Sequence, residues 1–255
     1  MQEFMRALAA AAANETLPRF RQLPTVINKL GTGFDPVTEA DREAERVIRA
    51  LISETFPEDG ILGEEFGLSN AGASRQWVVD PIDGTRAFIS GIPLWGTLVG
   101  LTAAGRAVAG MMSQPFTGEL YVADGSGAFL EHRQARQRLS TSHVESLSDA
   151  TMCTTTPALF SRVQREAYDR LENEVRLARY GTDCYAYAML ASGHVDLVVE
   201  PGLNAYDIAA LIPIIEQAGG VVTTFDGGRP ENGGNIIAAA NARLHEQARA
   251  FVADV

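Results

Sequence analysis

The chain has 255 residues, of which 21 are lysine or arginine and 32 are aspartate or glutamate, so its formal net charge is −11. This length permits one large domain or two small ones, and a content of 46% apolar and 21% charged residues excludes a disordered chain. Because acidic proteins are repelled by polyphosphate backbones and anionic lipid, the charge disfavours nucleic acid and membranes as partners. If the surplus acids line one cleft, a cation is expected there.

The cysteine content and two apolar segments bear on the compartment. Cys153 and Cys184 are too few for a disulfide framework, which fits a reducing cytoplasm. Residues 8–13 resemble the apolar part of a secretion signal, but Glu3 precedes them and the run is almost all alanine. The uncharged stretch 87–105 contains several glycines and a proline, which favours strands over a membrane helix. We therefore predict a cytoplasmic protein.

The N-terminal part of the chain predicts two helices. Residues 2–14 have strong intrinsic helix propensity. Residues 38–52 carry an apolar stripe at helical spacing, with Thr38 as N-cap and Asp41 three positions on, in a capping-box arrangement.

The next segments predict strands. Apolar runs at 60–63 and 76–80 each stop at acidic residues, and Pro81 is expected to end the ladder of the second strand. Residues 94–130 hold several short apolar runs separated by glycine turns, which is typical of an antiparallel meander.

Beyond about residue 150, strand-like and helical runs alternate, which indicates βαβ units and a mixed or parallel sheet. The predicted strands lie near 151–155, 175–180, 195–200, 220–225 and 235–239, and the predicted helices near 160–173, 184–192, 205–218 and 241–253. We interpret the chain as two halves, an N-terminal α+β half (1–145) with the antiparallel sheet and a C-terminal α/β half (146–255). A cleft between them is the expected site.

The most informative stretch reads Trp77-Val-Val-Asp80-Pro-Ile-Asp83-Gly84-Thr85. Two carboxylates so close in sequence repel each other across a tight turn unless a cation lies between them, and their oxygen ligands suit Mg²⁺. The amides of Gly84 and Thr85 could meet a phosphate if they open a helix. An ordinary Asp-Pro and Asp-Gly turn without chemistry is the alternative.

Four more acidic residues have both a functional and an ordinary interpretation. Glu64 and Glu65 follow a predicted strand and could form a solvated loop. Asp207 stands where a long apolar helix begins, and Asp41 completes a capping box, so helix capping alone explains either residue. Each residue alone is weak evidence of function, and it is their combination that indicates a functional site.

Four strings carry a family resemblance: Gly63-Glu64-Glu65, Asp80-Pro-Ile-Asp83-Gly84-Thr85, Tyr206-Asp207-Ile-Ala-Ala and Glu216-Gln-Ala-Gly-Gly220. In this order, between about residues 35 and 240, they resemble the inositol monophosphatase family, for which the Asp-Pro-Ile-Asp-Gly-Thr string is highly specific. The resemblance implies an α/β fold built as a layered α/β/α/β/α sandwich. It also implies Mg²⁺-dependent hydrolysis of small phosphomonoesters by a homodimer.

Further strings resemble one subgroup of that family, the histidinol-phosphate phosphatases. They are Thr85-Arg-Ala-Phe-Ile-Ser-Gly91, Leu94-Trp-Gly-Thr97 and Tyr180-Gly-Thr-Asp-Cys-Tyr-Ala-Tyr187. Tyr206 also replaces the tryptophan that is common before the last metal aspartate of inositol phosphatases. The subgroup resemblance implies hydrolysis of L-histidinol phosphate to L-histidinol and phosphate, a reaction of histidine biosynthesis.

By position, the resemblance implies a site for two to three Mg²⁺ ions. Glu64, Asp80 and the backbone carbonyl of Ile82 would hold the first ion, and a weaker third ion would lie near Glu64. Asp80, Asp83 and Asp207 would hold the second ion. Clustered carboxylates are what the chemistry requires, because they balance the charge of the ions and fix their separation.

The resemblance also implies catalytic and substrate-binding roles. Thr85, paired with Asp41, would orient the attacking water, with Glu64 as the third catalytic residue. Lys29 is a candidate match for a lysine upstream of Asp41, although Gly31-Thr-Gly33 disturbs that alignment. The substrate-binding candidates are Asp83, Gly84, Thr85, Arg86, Asp183, Glu200 and Asp207, with Asn204 and Tyr206 as hydrogen-bonding walls.

Two of these candidates keep an alternative interpretation. Asp183 and Glu200 suit the amine and imidazole of histidinol phosphate, but Asp183 could instead cap the helix predicted at 184–192. Arg86 could contact substrate or form an ordinary surface ion pair.

Other functions stay open on the sequence alone. An inositol monophosphatase, or another sugar-alcohol or nucleotide phosphatase of the same family, would have the same metal site. The overall acidity and the lack of a basic nucleotide pocket weaken the nucleotide alternative. A catalytically silent cation-binding protein is the non-enzyme alternative, but it would not need the Thr85–Asp41 pair.

Overall fold

The computed structural model describes residues 1–22, 27–28 and 36–255, without the side chains of 27–28 and 36–37. Lys29 therefore lies outside the described residues. The first elements are α1 (Gln2–Thr16), a two-stranded sheet of β1 (Ile27–Asn28) and β2 (Pro36–Val37), and α2 (Glu39–Thr55).

Helix α2 begins at the predicted capping box. The Thr38 hydroxyl accepts a hydrogen bond from the amide of Ala40 (3.1 Å), and the Asp41 carboxylate accepts one from the amide of Thr38 (2.8 Å). These bonds satisfy amides that have no partner within the helix, so the prediction of the helix start is confirmed.

An eight-stranded sheet follows, in the spatial order β10-β9-β8-β7-β6-β5-β3-β4. Its strands are β3 (Gly60–Gly63), β4 (Gly67–Ser69), β5 (Arg75–Asp83), β6 (Gly96–Ala103), β7 (Arg106–Gln114), β8 (Glu119–Ala123), β9 (Ala128–His132) and β10 (Ala135–Arg138). Strands β6 to β9 form the antiparallel meander predicted over 94–130, and β5 and β10 extend it at either side. Strands β3 and β5, by contrast, are parallel. The short helix α3 (Thr85–Ile89) connects β5 to β6.

The expectation that Pro81 ends the ladder of β5 is wrong. Strand β5 continues through Pro81 to Asp83, and the pairing register with β6 shifts between Asp80 and Asp83. Pro81 lies within a bulge, where the regular ladder of hydrogen bonds is interrupted and an amide hydrogen is not required. The strand therefore bends there without ending.

The C-terminal part forms a mixed five-stranded sheet in the order β12-β11-β13-β15-β14, in which β11 is parallel to β12 and β13. Its strands are β11 (Thr151–Thr154), β12 (Leu177–Tyr180), β13 (Leu197–Leu203), β14 (Val221–Thr224) and β15 (Gly234–Ala239). The helices are α4 (Arg162–Glu172), α5 (Asp183–Ala191), α6 (Ala205–Ile208), α7 (Leu211–Ala218) and α8 (Ala242–Val252). These elements confirm the predicted alternation.

The helix predicted over 205–218 is in fact two helices, α6 and α7. Pro213 lacks an amide hydrogen, and its ring conflicts with the carbonyl of residue 209, so one unbroken helix cannot form. The break leaves α6 as a single short turn that carries Asp207.

Three apolar clusters divide the fold into five layers. The first joins α1 and α2 to one face of the large sheet, through residues such as Leu8, Ile48 and Trp77. The second joins the other face to α5, α7 and the small sheet, and the third joins the small sheet to α4 and α8. This order confirms the predicted α/β/α/β/α sandwich, while the division into halves 1–145 and 146–255 stays a prediction.

Within the described residues, no helix combines the length and the apolarity needed to cross a membrane. The uncharged stretch 87–105 forms the end of α3 and the strand β6, as its glycines indicate.

Candidate metal centre and active site

Glu64 and Asp80 are brought together by parallel strand pairing. In the register of β3 with β5, Gly63 lies opposite Val79, and the amide of Glu64 continues the ladder by donating to the carbonyl of Val79 (3.2 Å). The next residue of each strand therefore reaches the same edge of the sheet. Burial, and then the charge of Glu64, raise the pKa of Asp80 well above its usual value.

The bulge in β5 turns Asp80 and Asp83 toward one cavity. Residues three apart in a regular strand point to opposite faces of the sheet. Here Asp80 lies opposite Leu98 and Asp83 opposite Gly96, so three steps along β5 match two along β6. The extra residue resets the alternation, and both carboxyl groups line the same cavity.

Asp207 completes the acidic cluster from the other side of the cleft. Its Oδ2 accepts a hydrogen bond from the amide of Asn204 (2.7 Å), so it does cap α6. One oxygen from each of Asp80, Asp83 and Asp207 lies within 4.8 Å of the other two. Capping and clustering are therefore compatible in one side chain, because a carboxylate has two oxygens.

The electrostatics of this cluster fit a bound cation. Burial first, and then the charges of neighbouring acids, raise the pKa of Asp83 well above its usual value, and burial raises that of Asp207 to about 6. A set of oxygen-only ligands fits a hard divalent cation, which would offset the repulsion between the carboxylates. Glu64 and Ile82, the other expected ligands of this site, line the same cavity.

Thr85 and Asp41 form the expected pair beside the cluster. The Thr85 hydroxyl lies 3.5 Å from Oδ1 of Asp41 and 3.1 Å from the carbonyl oxygen of Ile82, and it can donate to either. The other oxygen of Asp41 accepts from the amide (2.8 Å) and hydroxyl (2.5 Å) of Thr38. Asp41 thus takes part in the capping box of α2 with one oxygen and faces Thr85 with the other. Burial raises the pKa of Asp41 to about 6.

Gly84 makes the sharp transition from β5 to α3. Its φ of 82° is left-handed, and a Cβ there would lie 3.0 Å from the carbonyl oxygen of Leu94 and 3.3 Å from Cβ of Asp183. Only glycine meets both demands without strain. Helix α3 begins directly after this turn, its first residues Thr85 and Arg86 line the cavity, and its first amides have no acceptor within the helix.

Asp183 and Glu200 form a second acidic group, joined by Thr155. The amide of Thr155 donates to Oε1 of Glu200 (2.5 Å), and its hydroxyl donates to Oδ1 of Asp183 (3.3 Å). The Thr154 hydroxyl donates to Oε2 of Glu200 (3.2 Å). Burial raises the pKa of Glu200 to about 8 and also raises that of Asp183.

The alternative that Asp183 is only a helix cap is wrong. Helix α5 begins at Asp183 itself, after Thr182, and no side chain caps it. Asp183 has a φ of 43°, in the left-handed region that non-glycine residues rarely adopt. The adjacent amide of Cys184 donates to Oδ2 of Asp83 (2.7 Å), so this backbone connects the two acidic groups.

One cavity of about 330 Å³ collects nearly all the predicted site residues. It is lined by Glu64, Asp80, Ile82, Asp83, Gly84, Thr85, Arg86, Thr155, Leu159, Asp183, Glu200, Leu203, Asn204, Tyr206 and Asp207. Among the described candidates, Asp41 is the one that is not on the wall, and it contacts Thr85, which is. Arg86 lies exposed at the cavity, and its charge lowers the pKa of Asp183 against the larger effect of burial.

Sequence reasoning missed Thr155, Leu159 and Leu203 on the cavity wall. Thr155 directly follows β11, and a polar residue at the end of an apolar strand is the signal that could have identified it. Leu159 ends a short 3₁₀ helix and carries no such signal, because a single exposed leucine is common.

Fold, cluster and cavity agree with the comparisons to known proteins. The chain belongs to the inositol monophosphatase family, whose model matches residues 1–254, and it is a phosphatase of this metal-dependent family. It is 38% identical over 256 residues to the chloroplastic bifunctional phosphatase IMPL2 of Arabidopsis thaliana, covering 95% of this chain and 72% of that protein.

Two further relatives bear different substrate names. The chain is 38% identical over 251 residues to the histidinol-phosphatase of Mycobacterium tuberculosis, covering 96% and 95% of the two chains. A solved inositol monophosphatase from Zymomonas mobilis superposes with a TM-score of 0.86 at 38% identity, covering 98% and 96%. Family membership therefore establishes phosphatase chemistry on small phosphate substrates and leaves the particular substrate open.

Proposed function

We propose that this protein is a Mg²⁺-dependent phosphatase that hydrolyses L-histidinol phosphate to L-histidinol and phosphate. The observation that carries the proposal is the second acidic group, Asp183 and Glu200, which lines the same cavity as the metal-binding cluster. Histidinol phosphate presents an amine and an imidazole beyond its phosphate, and buried acids attract such cationic groups. The histidinol-phosphatase from Mycobacterium tuberculosis, at 38% identity over nearly its whole length, supports this choice.

Mg²⁺ is the ion that we assign to the acidic cluster. Glu64, Asp80 and the carbonyl of Ile82 would hold a first ion, Asp80, Asp83 and Asp207 a second, and a third would lie near Glu64. The chemistry that bound Mg²⁺ supplies is screening of the phosphate charge, activation of water and stabilisation of the leaving oxygen. The oxygen ligands and the raised pKa values of Asp80 and Asp83 support a requirement for divalent cations.

Thr85 and Asp41 orient the attacking water in this proposal. The Thr85 hydroxyl faces Oδ1 of Asp41, while the bonds of Thr38 to the other oxygen fix that carboxylate. A water that donates to Thr85 is thereby directed to one side of the phosphorus. The first amides of α3 hold the phosphate oxygens, where the helix terminus adds positive potential.

Asp183 and Glu200 bind the alcohol part of the substrate. With a pKa of about 8, Glu200 is mostly protonated in the metal-free protein near pH 7, and a cationic group beside it favours the ionised form. Substrate binding is therefore expected to release a proton. Arg86, exposed at the cavity, is a further candidate contact, and a homodimer in the cytoplasm stays a prediction.

An inositol-1-monophosphatase is the second candidate. The similarity to the Zymomonas mobilis inositol monophosphatase, also at 38% identity, favours it. The hydroxyl groups of inositol could use the same carboxylates as hydrogen-bond acceptors. A catalytically silent cation-binding protein is disfavoured, because the Thr85–Asp41 geometry has no purpose in metal binding alone.

The deciding experiment is phosphate release by the purified full-length chain with Mg²⁺, from a panel of phosphomonoesters. The panel contains histidinol phosphate, inositol 1-phosphate and a nucleoside 3′-phosphate at equal concentrations. We expect kcat/KM for histidinol phosphate to exceed the others by about tenfold or more, which corresponds to about 1.4 kcal/mol. Preference for inositol phosphate would establish the second candidate, and absence of release from every ester would support the silent protein.

A further inference from the structure

A buried carboxylate behind the metal cluster is absent from every role assigned so far. Glu45 lies on α2, one turn after Asp41, and its side chain is fully buried. Its Oε2 accepts a hydrogen bond from the amide of Glu65 (2.7 Å), and its Oε1 accepts one from the amide of Phe66 (3.2 Å). Glu45 therefore holds the two backbone amides that directly follow Glu64.

Arg49 neutralises this carboxylate and extends its hold on the loop. Its Nε donates to Oε1 of Glu45 (2.6 Å), and its terminal nitrogens donate to the carbonyl of Gly67 and to the hydroxyl of Ser69 (3.3 Å). A buried carboxylate is costly unless it is paired and hydrogen-bonded, and Glu45 meets both conditions. The pair thus ties the segment after Glu64 to α2.

Gly63 makes room for the contact from the other side. A Cβ at position 63 would lie 1.9 Å from Oε1 of Glu45 and 2.4 Å from its carboxyl carbon. No side chain fits at that distance, so the backbone just before Glu64 touches the same carboxylate. Position 63 requires glycine because of the lack of space and not because of its backbone conformation, since Gly63 is not among the glycines with positive φ.

Glu64 is consequently fixed from both sides. Its own amide donates to the carbonyl of Val79 in β5, and the two following amides donate to Glu45. We propose that Glu45, Arg49 and Gly63 are positioning residues that hold Glu64 beside Asp80 for metal binding. The inference rests on the proposed function, which makes Glu64 a metal ligand. Helix α2 then serves the site twice, through Asp41 and through Glu45.

The test measures Mg²⁺ binding to the metal-free full-length protein by calorimetry, with Mg²⁺ alone as the ligand. Glu45→Gln keeps the size of the side chain but removes its charge and one acceptor oxygen. We expect it to weaken Mg²⁺ affinity by about tenfold or more, as is usual when a group that orients a ligand is lost. The matched control is Glu43→Gln on the same helix, whose partner Arg46 lies 2.8 Å away on an exposed face.

A kinetic measurement separates positioning from a general loss of structure. High Mg²⁺ should restore the kcat of Glu45→Gln to within about threefold of the unmodified protein, because the ligand Glu64 is still present. The concentration of Mg²⁺ that gives half-maximal activity should rise, while the KM for the phosphomonoester at saturating Mg²⁺ should not. A purely structural defect would lower the folded fraction and would not be restored by Mg²⁺.

The outcome for Glu64→Gln distinguishes the two proposals. If Glu64→Gln leaves Mg²⁺ affinity unchanged, the metal assignment in the proposed function is wrong. If Glu64→Gln weakens binding but Glu45→Gln does not, the positioning proposal alone is wrong. Should Glu45→Gln fail to fold, Gly63→Ala and Arg49→Lys test the positioning proposal instead. Gly63→Ala displaces the Glu45 carboxylate without altering any charge. Arg49→Lys keeps the positive charge but removes the forked set of guanidinium donors. Unchanged affinity in these two folded variants overturns the proposal.

Discussion

The two acidic groups of the cavity accommodate buried carboxyl groups in different ways. In the metal-binding cluster, the oxygens of Asp80, Asp83 and Asp207 converge to within 4.8 Å of one another. Around Glu200, by contrast, protein donors reach both carboxylate oxygens: the amide of Thr155 donates to Oε1 and the hydroxyl of Thr154 donates to Oε2. Burial raises the pKa in both groups.

This contrast indicates what each group requires. Carboxylates that face one another repel unless cations or protons neutralise them, so we expect the first group to require a bound metal for function. In the second group, Glu200 and Asp183 accept hydrogen bonds from Thr154 and Thr155, and in the proposed function they bind a cationic part of the substrate. Changes in the first group should therefore abolish turnover, whereas changes in the second should alter substrate choice.

The largest effect is expected for Asp83→Asn. The amide keeps an oxygen that can accept from the amide of Cys184, so the fold should persist, but the anionic ligand is lost. We expect kcat with saturating Mg²⁺ to fall by at least about 10³-fold, or about 4 kcal/mol of transition-state stabilisation. Phosphate release measures the rate, and circular dichroism checks the fold. Activity near that of the exposed control Asp149→Asn would show that Asp83 is not a ligand.

A smaller and selective effect is expected for Glu200→Gln and Asp183→Asn. Each removes a charge opposite the proposed cationic group, at a cost of about 2 kcal/mol, or roughly thirtyfold in kcat/KM for histidinol phosphate. For a neutral polyol phosphate the change should stay within about threefold. Paired kinetic measurements on both substrates test this difference. Equal losses on the two substrates would argue for a merely structural role of the second group.

The smallest effect concerns the stability of the metal-free protein. The pKa of Glu200 is raised from 4.5 to about 8, so the folded state binds more protons than the unfolded state between those values. The stabilisation is fully present below about pH 4.5 and is lost as pH rises through about 8, with a slope of at most about 1.4 kcal/mol per pH unit.

Glu200→Gln should flatten this part of the profile, whereas the exposed Glu166→Gln should leave it as it is. Urea denaturation in a metal chelator, repeated across pH 4.5 to 8, gives the free energy of unfolding for each variant. A profile that keeps its slope in Glu200→Gln would assign the effect to the acids of the metal-binding cluster.

Most of the fold could be predicted from the sequence because the signals that start and end its helices and strands are local. The capping box at Thr38 and Asp41, the glycine turns of the meander and the alternation after residue 150 all depend on neighbouring residues. Two predictions failed at prolines, in opposite ways. Pro81 did not end β5, because it lies in a bulge that tolerates a residue without an amide hydrogen. Pro213 did interrupt the helix predicted over 205–218, although the apolar pattern of that helix continues past the proline.

The candidate site was predicted from the resemblance to a known family more than from the local physical properties of its residues. No local rule shows that β3 pairs in parallel with β5, which is what places Glu64 next to Asp80. The direction of Asp83 depended on the bulge, and the contact of Thr155 with Glu200 depended on tertiary packing. Glu45 gave no signal at all, because a charged residue on a helix is ordinarily solvent-exposed.

The spread of the site along the chain has a consequence for folding. Thr85 meets Asp41 across 44 positions, and the amide of Cys184 meets Asp83 across 101. We expect contacts between such distant residues to form late, because the chain must close large loops before it gains them. The acidic cluster is therefore complete only once both sheets have folded, and uptake of Mg²⁺ during refolding would follow the last step of assembly.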